Sequence, residues 1–352
     1  MLAVPRYNPP RVPHADPARK FAEATAPTRI DLAGGTLDIW PLYLFHPGAV
    51  TVNVAIDRRA HCRIESGLSG VRIESKDTLR KAEGKNVAAI LGEGALSLAA
   101  YILRALQIDT GVRVVTESKV PAGSGLGGSS ALAVAIAAAA GRLAGRELDE
   151  DSLWPIVRDA EAQCIGVPTG VQDYHAAIHG GVLGVHLEPG AIRVEKLAVD
   201  PAAIEECLIL VDAGATRFSG INNWDVFKGQ IDGDMRVREA LAAIAEVAAE
   251  LRAALIEHRF GDVAPLLARE WEARKRLAPA VTTPEIDRIA EAARSAGGAA
   301  KVCGAGGGGM VAVWANPAPR GPGSRERALQ ALGQAGFRSV PFRVDLRGLE
   351  VS

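Results

Sequence analysis

Lys119-Val120-Pro121-Ala122-Gly123-Ser124-Gly125-Leu126-Gly127-Gly128-Ser129-Ser130-Ala131 joins a strand-like run to an alanine-rich one. Upstream, Gly111-Val112-Arg113-Val114-Val115-Thr116 alternates as a strand does. Downstream, residues 131–141 are almost all strong helix formers. The glycines between reach backbone conformations closed to other residues and let a ligand approach the main chain. Ser129 or Ser130 is expected to cap the helix. A glycine-rich turn that opens a helix aims free amides and the positive helix end at one point, which suits phosphate, and its hydroxyls can reach a magnesium ion. This is not the Walker loop, because the Lys-Ser/Thr pair after the last glycine is missing. Gly123, Gly125 and Gly128 have the spacing of a dinucleotide fingerprint, but no βαβ unit with a following acidic residue surrounds them.

The rest of the chain sets bounds on that reading. Its 352 residues allow two domains, and a 48% hydrophobic fraction allows a substantial core. A net charge of −1 gives no field to recruit nucleic acid or an anionic membrane. Cys62, Cys164, Cys207 and Cys303 have no metal-ligand spacing and read as reduced thiols of a cytoplasmic protein. No signal-peptide pattern or membrane-length apolar run is present. Residues 1–20, with five prolines, are expected to be extended. A first domain then covers 21–205 and a second 206–352, with helices and an antiparallel sheet mixed in the latter.

Two further glycine-rich segments stand out. The first, Ala26 to Pro41, reads as a short strand ending in a Gly34-Gly35 turn flanked by Arg29, Asp31 and Asp38. Alone it is a surface hairpin with solvated charges; the functional alternative puts Arg29 and Asp38 in a cleft, facing phosphate and hydroxyls. The second, Lys301-Val302-Cys303-Gly304-Ala305-Gly306-Gly307-Gly308-Gly309, needs a reason to keep four consecutive glycines, such as hugging a ligand or another backbone. Strands are expected at 49–56, 60–65, 181–187, 192–197, 208–211 and 337–345. A helix follows Asp149, with Leu153, Val157 and Ala160 on its apolar stripe; Glu161 at the stripe's edge reads as an ordinary solvated glutamate. Asp173, after a Gly-Pro-Gly turn, either caps the next helix or does chemistry. His175 and His179 lie four apart, but no third metal ligand presents itself, so metal binding there is not expected.

Three glycine-rich segments in this order, Arg29 to Asp38, Pro121 to Ala131 and Gly304 to Gly309, resemble the GHMP kinase superfamily. Among its branches the chain is most similar to sugar kinases acting at the anomeric hydroxyl, the D-glycero-D-manno-heptose 7-phosphate kinases above all. The resemblance implies an α+β fold: an N-terminal domain like ribosomal protein S5 domain 2, a ferredoxin-like C-terminal domain, and a site between them. It implies ATP and Mg²⁺ as cofactors. Residues from Pro121 and Gly123 through Ser124, Gly125, Leu126, Gly127, Gly128, Ser129 and Ser130 would hold the nucleotide. Ser129 (or its neighbour Ser130) and Glu161 would hold the metal. Asp173 would be the catalytic aspartate and Arg29 its basic partner. Asp38, Gly34, Gly35, Gly304, Gly306, Gly307 and Arg217 would face the acceptor, a small sugar or sugar phosphate. The chain would be a monomer or homodimer with no nucleic-acid or membrane partner. Leu37, Tyr174-His175 and Trp40-Pro41-Leu42 depart from the family pattern near the sugar pocket. A mevalonate- or homoserine-type kinase is the rival within the family, and a non-catalytic sensor on the same fold is the rival outside it.

Overall fold

The computed structural model describes residues 20–92, 94–214, 223–317 and 324–352, and it is an α+β structure built on two sheets. The first sheet takes β1 (Phe21–Ala33), β2 (Val50–Ser66), β3 (Val71–Ser75), β4 (Arg80–Gly84), β5 (Val112–Ser118), β6 (Val182–Glu188) and β7 (Ala191–Lys196). Its path runs β1-β2-β5-β3-β4, with β6 and then β7 attached along β2. The two runs expected at 49–56 and 60–65 are one strand. Residues 50–54 of β2 pair with β6 and residues 60–66 with β5, and the irregularity between them is absorbed by a register shift opposite Pro27/Thr28 of β1.

Helices α1 (Ser97–Ala105), α2 (Gly128–Leu143), α3 (Glu150–Ile165) and α4 (Gln172–His179) cover this sheet. The alanine run is α2, which packs on β1 and β2 and also against α1, α3 and α4. A helix surrounded on all sides is apolar all round, and small side chains let its neighbours approach. The expected serine cap does not occur: the N-cap is Gly127, with φ 69° and no side-chain cap. The left-handed glycine starts the helix earlier, so Ser129 and Ser130 sit inside the first turn with their hydroxyls directed elsewhere. The start of α3 is as expected, with Asp149 accepting a hydrogen bond from the Ser152 amide at 2.9 Å.

After α5 (Pro201–Cys207) comes the second sheet: β8 (Leu208–Asp212), β9 (Ala299–Val302), β10 (Met310–Trp314) and β11 (Ser339–Val340), in the antiparallel order β11-β8-β10-β9. Helices α6 (Asn223–Asp232), α7 (Met235–Ile256), α8 (Phe260–Leu277), α9 (Pro284–Ser295) and α10 (Ser324–Gln334) complete this half. The closing strand expected over 337–345 is only two residues long. Pro341 has no amide to give, and the chain turns back to bridge Val344 to Ile56. It ends in β12 (Glu350–Val351), paired with β1. The buried Arg59 anchors this return by donating to the Gly348 carbonyl at 2.6 Å and pairing with Asp345.

The two halves share a core. Val247, Leu251 and Leu255 of α7 pack in one cluster with Ile30, Leu32, Val52 and Val54 of the first sheet and Leu208, Leu210 and Trp314 of the second. Burying each such side chain is worth about 1.5–3 kcal/mol, enough to hold the sheets in a fixed relation. Among the described residues no helix is long and apolar enough to cross a membrane. The four cysteines are free thiols.

Candidate active site

Arg29 is the residue around which the site is assembled. On β1, with a side chain only 7% exposed, it donates from Nε to Asp173 Oδ1 at 2.7 Å and from Nη2 to Asp173 Oδ2 at 2.9 Å. Its Nη1 donates to the Gly125 carbonyl at 2.5 Å and the Cys303 carbonyl at 3.1 Å. One guanidinium therefore ties β1, the loop before α2, the first turn of α4 and the loop after β9. Burial works against its charge, but Asp173 and Asp31 more than offset that and raise its pKa. The solvated-hairpin reading of this segment is overturned: Arg29, Asp31 and Asp38 are all buried.

Asp173 is in the first turn of α4, where the helix end favours an acid. Its neighbour across the cleft is Gly127. A Cβ there would lie 2.9 Å from Asp173 Oδ2, and φ is 69°, so both space and backbone demand glycine. The uncapped start of α2 and the carboxylate of Asp173 thus face each other directly.

Glu161 is the second overturned expectation. The packing of α3 against α1 and α2 turns it inward to 6% exposure. Ser130 Oγ donates to its Oε2 at 2.8 Å and Tyr174 Oη at 2.7 Å, while Tyr174 Oη also lies 3.0 Å from Thr169 Oγ1. Burial raises the Glu161 pKa, opposed by hydrogen bonds from Ser129, Tyr174 and Ser130. Ser129 is exposed at the mouth of the helix and Ser130 is buried.

The glycine-rich loops pack on each other. The Pro121 carbonyl accepts from the Ser124 amide at 3.1 Å, and the Ser124 carbonyl from the Met310 amide at 2.8 Å. A Cβ on Gly304 would lie 2.7 Å from Gly125 Cα. Leu126 is sealed in the apolar core.

A cavity of about 150 Å³ opens beside this junction. Arg29, Gly35, Asp38, Asp173 and Gly304 line it. Gly34 instead backs onto Val50 and Thr51, Gly306 packs on Val281, and the Gly307 amide donates to the Val281 carbonyl at 2.9 Å. Arg217 lies outside the described residues. Asp38 accepts a hydrogen bond from the Gln172 amide at 3.0 Å, and burial raises its pKa to about 6, with Asp173 and Asp31 acting in the same direction.

The cavity wall also holds Asp31, Gln172 and Asn223, and one group that sequence reasoning missed, Arg274. Behind it lies a buried ion network. Asp31 Oδ2 accepts from Arg274 at 2.9 Å and Lys301 at 3.0 Å, and Glu270 Oε1 accepts from the same two at 2.7 and 3.1 Å. Burial alone would raise the Asp31 pKa; Lys301 and Arg274 outweigh it and lower it. Asp31 Oδ1 and Gln172 Oε1 are buried without a hydrogen-bond partner.

The GHMP kinases N terminal domain profile matches residues 93–181 and the GHMP kinases C terminal profile matches residues 251–338, together half of the chain. The chain belongs to the GHMP kinase family. This GHMP kinase is 28% identical over 313 residues to the D-glycero-alpha-D-manno-heptose 7-phosphate kinase of Campylobacter jejuni, covering 85% of this chain and 90% of that one. To the galactokinase of Mycobacterium tuberculosis it is 28% identical over 250 residues, covering 62% of this chain and 68% of that one. Its fold matches that of a D-glycero-D-manno-heptose 1-phosphate kinase from Bacteroides thetaiotaomicron with a TM-score of 0.73 at 24% identity, covering 94% and 98% of the two chains. In this GHMP kinase the three glycine-rich segments meet at Arg29. The signal for Tyr174 was its departure from the family pattern beside Asp173. For Lys301 the signal was its place just before the last glycine run. For Asp31 the signal was its place before the Gly34-Gly35 turn, and for Gln172 its place just before Asp173.

Proposed function

We propose that this GHMP kinase transfers the γ-phosphoryl group of ATP, with Mg²⁺, to a sugar hydroxyl, the anomeric one of a heptose 7-phosphate or related sugar. The observation that carries the proposal is Asp173, paired with Arg29, set against the uncapped start of α2 and opening on the same cavity as Asp38. The amides of residues 123–130 bind the nucleotide phosphates at the helix end. A carboxylate with serine hydroxyls is a hard-oxygen donor set that fits Mg²⁺, so Glu161 and the exposed Ser129 are assigned to hold it. When bound, the ion would supply positive charge that offsets the charge developing on the transferring phosphoryl group. Asp173 orients the acceptor hydroxyl and takes its proton, and Arg29 holds Asp173 in place with two hydrogen bonds and faces the transferring group. Asp38, Asp31 and Gln172 line the cavity, and a molecule rich in hydroxyl donors matches such a wall of acceptors. The same reading assigns 21–205 to a domain like ribosomal protein S5 domain 2 and 206–352 to a ferredoxin-like domain, with the last strand returned to the first. The test is purified protein with ATP and Mg²⁺ against heptose phosphates, hexoses and uronic acids. Absence of any phosphorylated sugar ends the proposal.

Two predictions arise here. Asp38 is ionised above about pH 6 and protonated below it. Protonation costs it acceptor capacity, so the acceptor KM is expected to rise as pH falls through about 6, and Asp38→Asn to flatten that profile. The sign for stability is opposite. A folded-state pKa above the unfolded one favours the fold at low pH, and this contribution is lost as pH rises through about 6. A KM inflection that persists in Asp38→Asn assigns the titration elsewhere. Second, Tyr174→Phe keeps the ring and removes a donor to Glu161. Losing such an outer partner of a metal ligand typically costs about 10–100-fold in metal affinity. The Mg²⁺ concentration for half-activation should rise about tenfold or more, with kcat recovered at saturating Mg²⁺; an unchanged requirement shows that Tyr174 only packs.

A further inference from the structure

The missing third partner of His175 and His179 is Glu150. The two imidazoles lie one turn apart on α4, on the same face. Glu150 opens α3, and its Oε1 is 3.1 Å from His175 Nδ1 and 2.7 Å from His179 Nε2. The three ligand atoms lie within 4.8 Å of one another. In a tetrahedral site with bonds of about 2.0–2.1 Å, ligand atoms stand about 3.4 Å apart. Side-chain rotations of about an ångström therefore close the set.

We propose that Glu150, His175 and His179 form a binding site for a borderline divalent cation such as Zn²⁺, joining the start of α3 to α4. Two nitrogens and one carboxylate oxygen are the donor types that such ions take, whereas Mg²⁺ prefers oxygen alone. The site is distinct from the Glu161 and Ser129 set and does not depend on it.

Three observations support it beyond spacing. His175 is 1% exposed, its Nε2 has no partner, and its Nδ1 is aimed at the other two groups, so the polar use its surroundings offer is at this cluster. Trp154 packs against it with ring centroids 5.6 Å apart, which fixes the plane of the imidazole. Glu150 and His179 are 36% and 22% exposed, which leaves an entry path and room for a water as fourth ligand. The role is structural. A cation here ties together the two helices that carry Glu161 and Asp173.

The test uses tag-free, chelator-treated full-length protein. Isothermal titration with ZnCl₂ should give one saturable site, and CoCl₂ should give the visible d–d bands of a tetrahedral ion. Glu150→Gln and His179→Gln, both at partly exposed positions, should each weaken Zn²⁺ at least tenfold and abolish the bands. Zn²⁺ should raise the Tm of wild type and not of the variants. No saturable Zn²⁺ binding overturns the proposal and leaves a hydrogen-bonded triad. Equal binding by wild type and both variants also overturns it, placing the ion at other residues.

Discussion

Asp173→Asn is expected to lower kcat by about 10²–10⁴-fold while leaving ATP binding within a fewfold of wild type. The substitution keeps the shape of the side chain and removes its charge. Asparagine cannot take the acceptor proton, and its amide cannot accept both hydrogen bonds that Arg29 now gives at 2.7 and 2.9 Å. Part of the guanidinium is left without a charged partner in a buried place, so a stability loss of roughly 1–3 kcal/mol should accompany the catalytic one. Arg29 still has the Gly125 and Cys303 carbonyls, which should hold the two loops together. The nucleotide end of the cleft is built from backbone amides and should survive. Steady-state kinetics, a fluorescent ATP analogue and a denaturant melt separate these effects. Turnover within fivefold of wild type would refute the assignment of Asp173, and a non-catalytic sensor would show no turnover in wild type.

Lys301→Met is expected to destabilise the protein by about 3–5 kcal/mol, the largest stability effect foreseen for a single substitution. Lys301 is fully buried, and its ammonium is shared between Asp31 at 3.0 Å and Glu270 at 3.1 Å. Without it the two buried carboxylates keep one hydrogen-bonded cation between them, Arg274. A loss of that size is a large part of an ordinary folding free energy of about 5–15 kcal/mol. The network also ties β1 to α8 and β9, so the acceptor KM should rise with the melt. Pairing the change with Asp31→Asn restores the charge balance, and the double variant should lose less than the sum of the singles. The depressed pKa of Asp31 fixes the pH sign: its contribution is present above the ordinary carboxylate pKa and disappears as pH falls through the lower folded value. A Lys301→Met loss under 1 kcal/mol, read from urea midpoints at pH 7, would show that the network is balanced by its own desolvation.

Much of the fold was written locally. Strand, glycine turn and alanine helix around residues 112–143 follow from period and composition, as do the capped start of α3 and the apolar face of α7. The order of the three glycine-rich segments carried the family. Local signals misjudged ends and depth. The helix cap moved to Gly127 because a left-handed glycine, not a serine, opens α2. The strand over 337–345 shrank because Pro341 and the pull of the first sheet ended it.

Arg29, Glu161, Asp173 and Asp38 were marked as the groups to watch by the resemblance of the sequence to the GHMP kinases, whereas the spacing of Glu161 alone read as solvated. Their burial and pairing were not marked there. Glu161 sits at the edge of a helix stripe, and only the packing of α3 on α2 decides that it faces Ser130 and Tyr174 rather than water. Glu150 meets two histidines 25 and 29 residues later, and Asp31 meets residues more than 240 positions away. Such contacts are fixed by how helices and sheets stack. Periodicity reports which face of an element is apolar, but not which neighbour that face will meet.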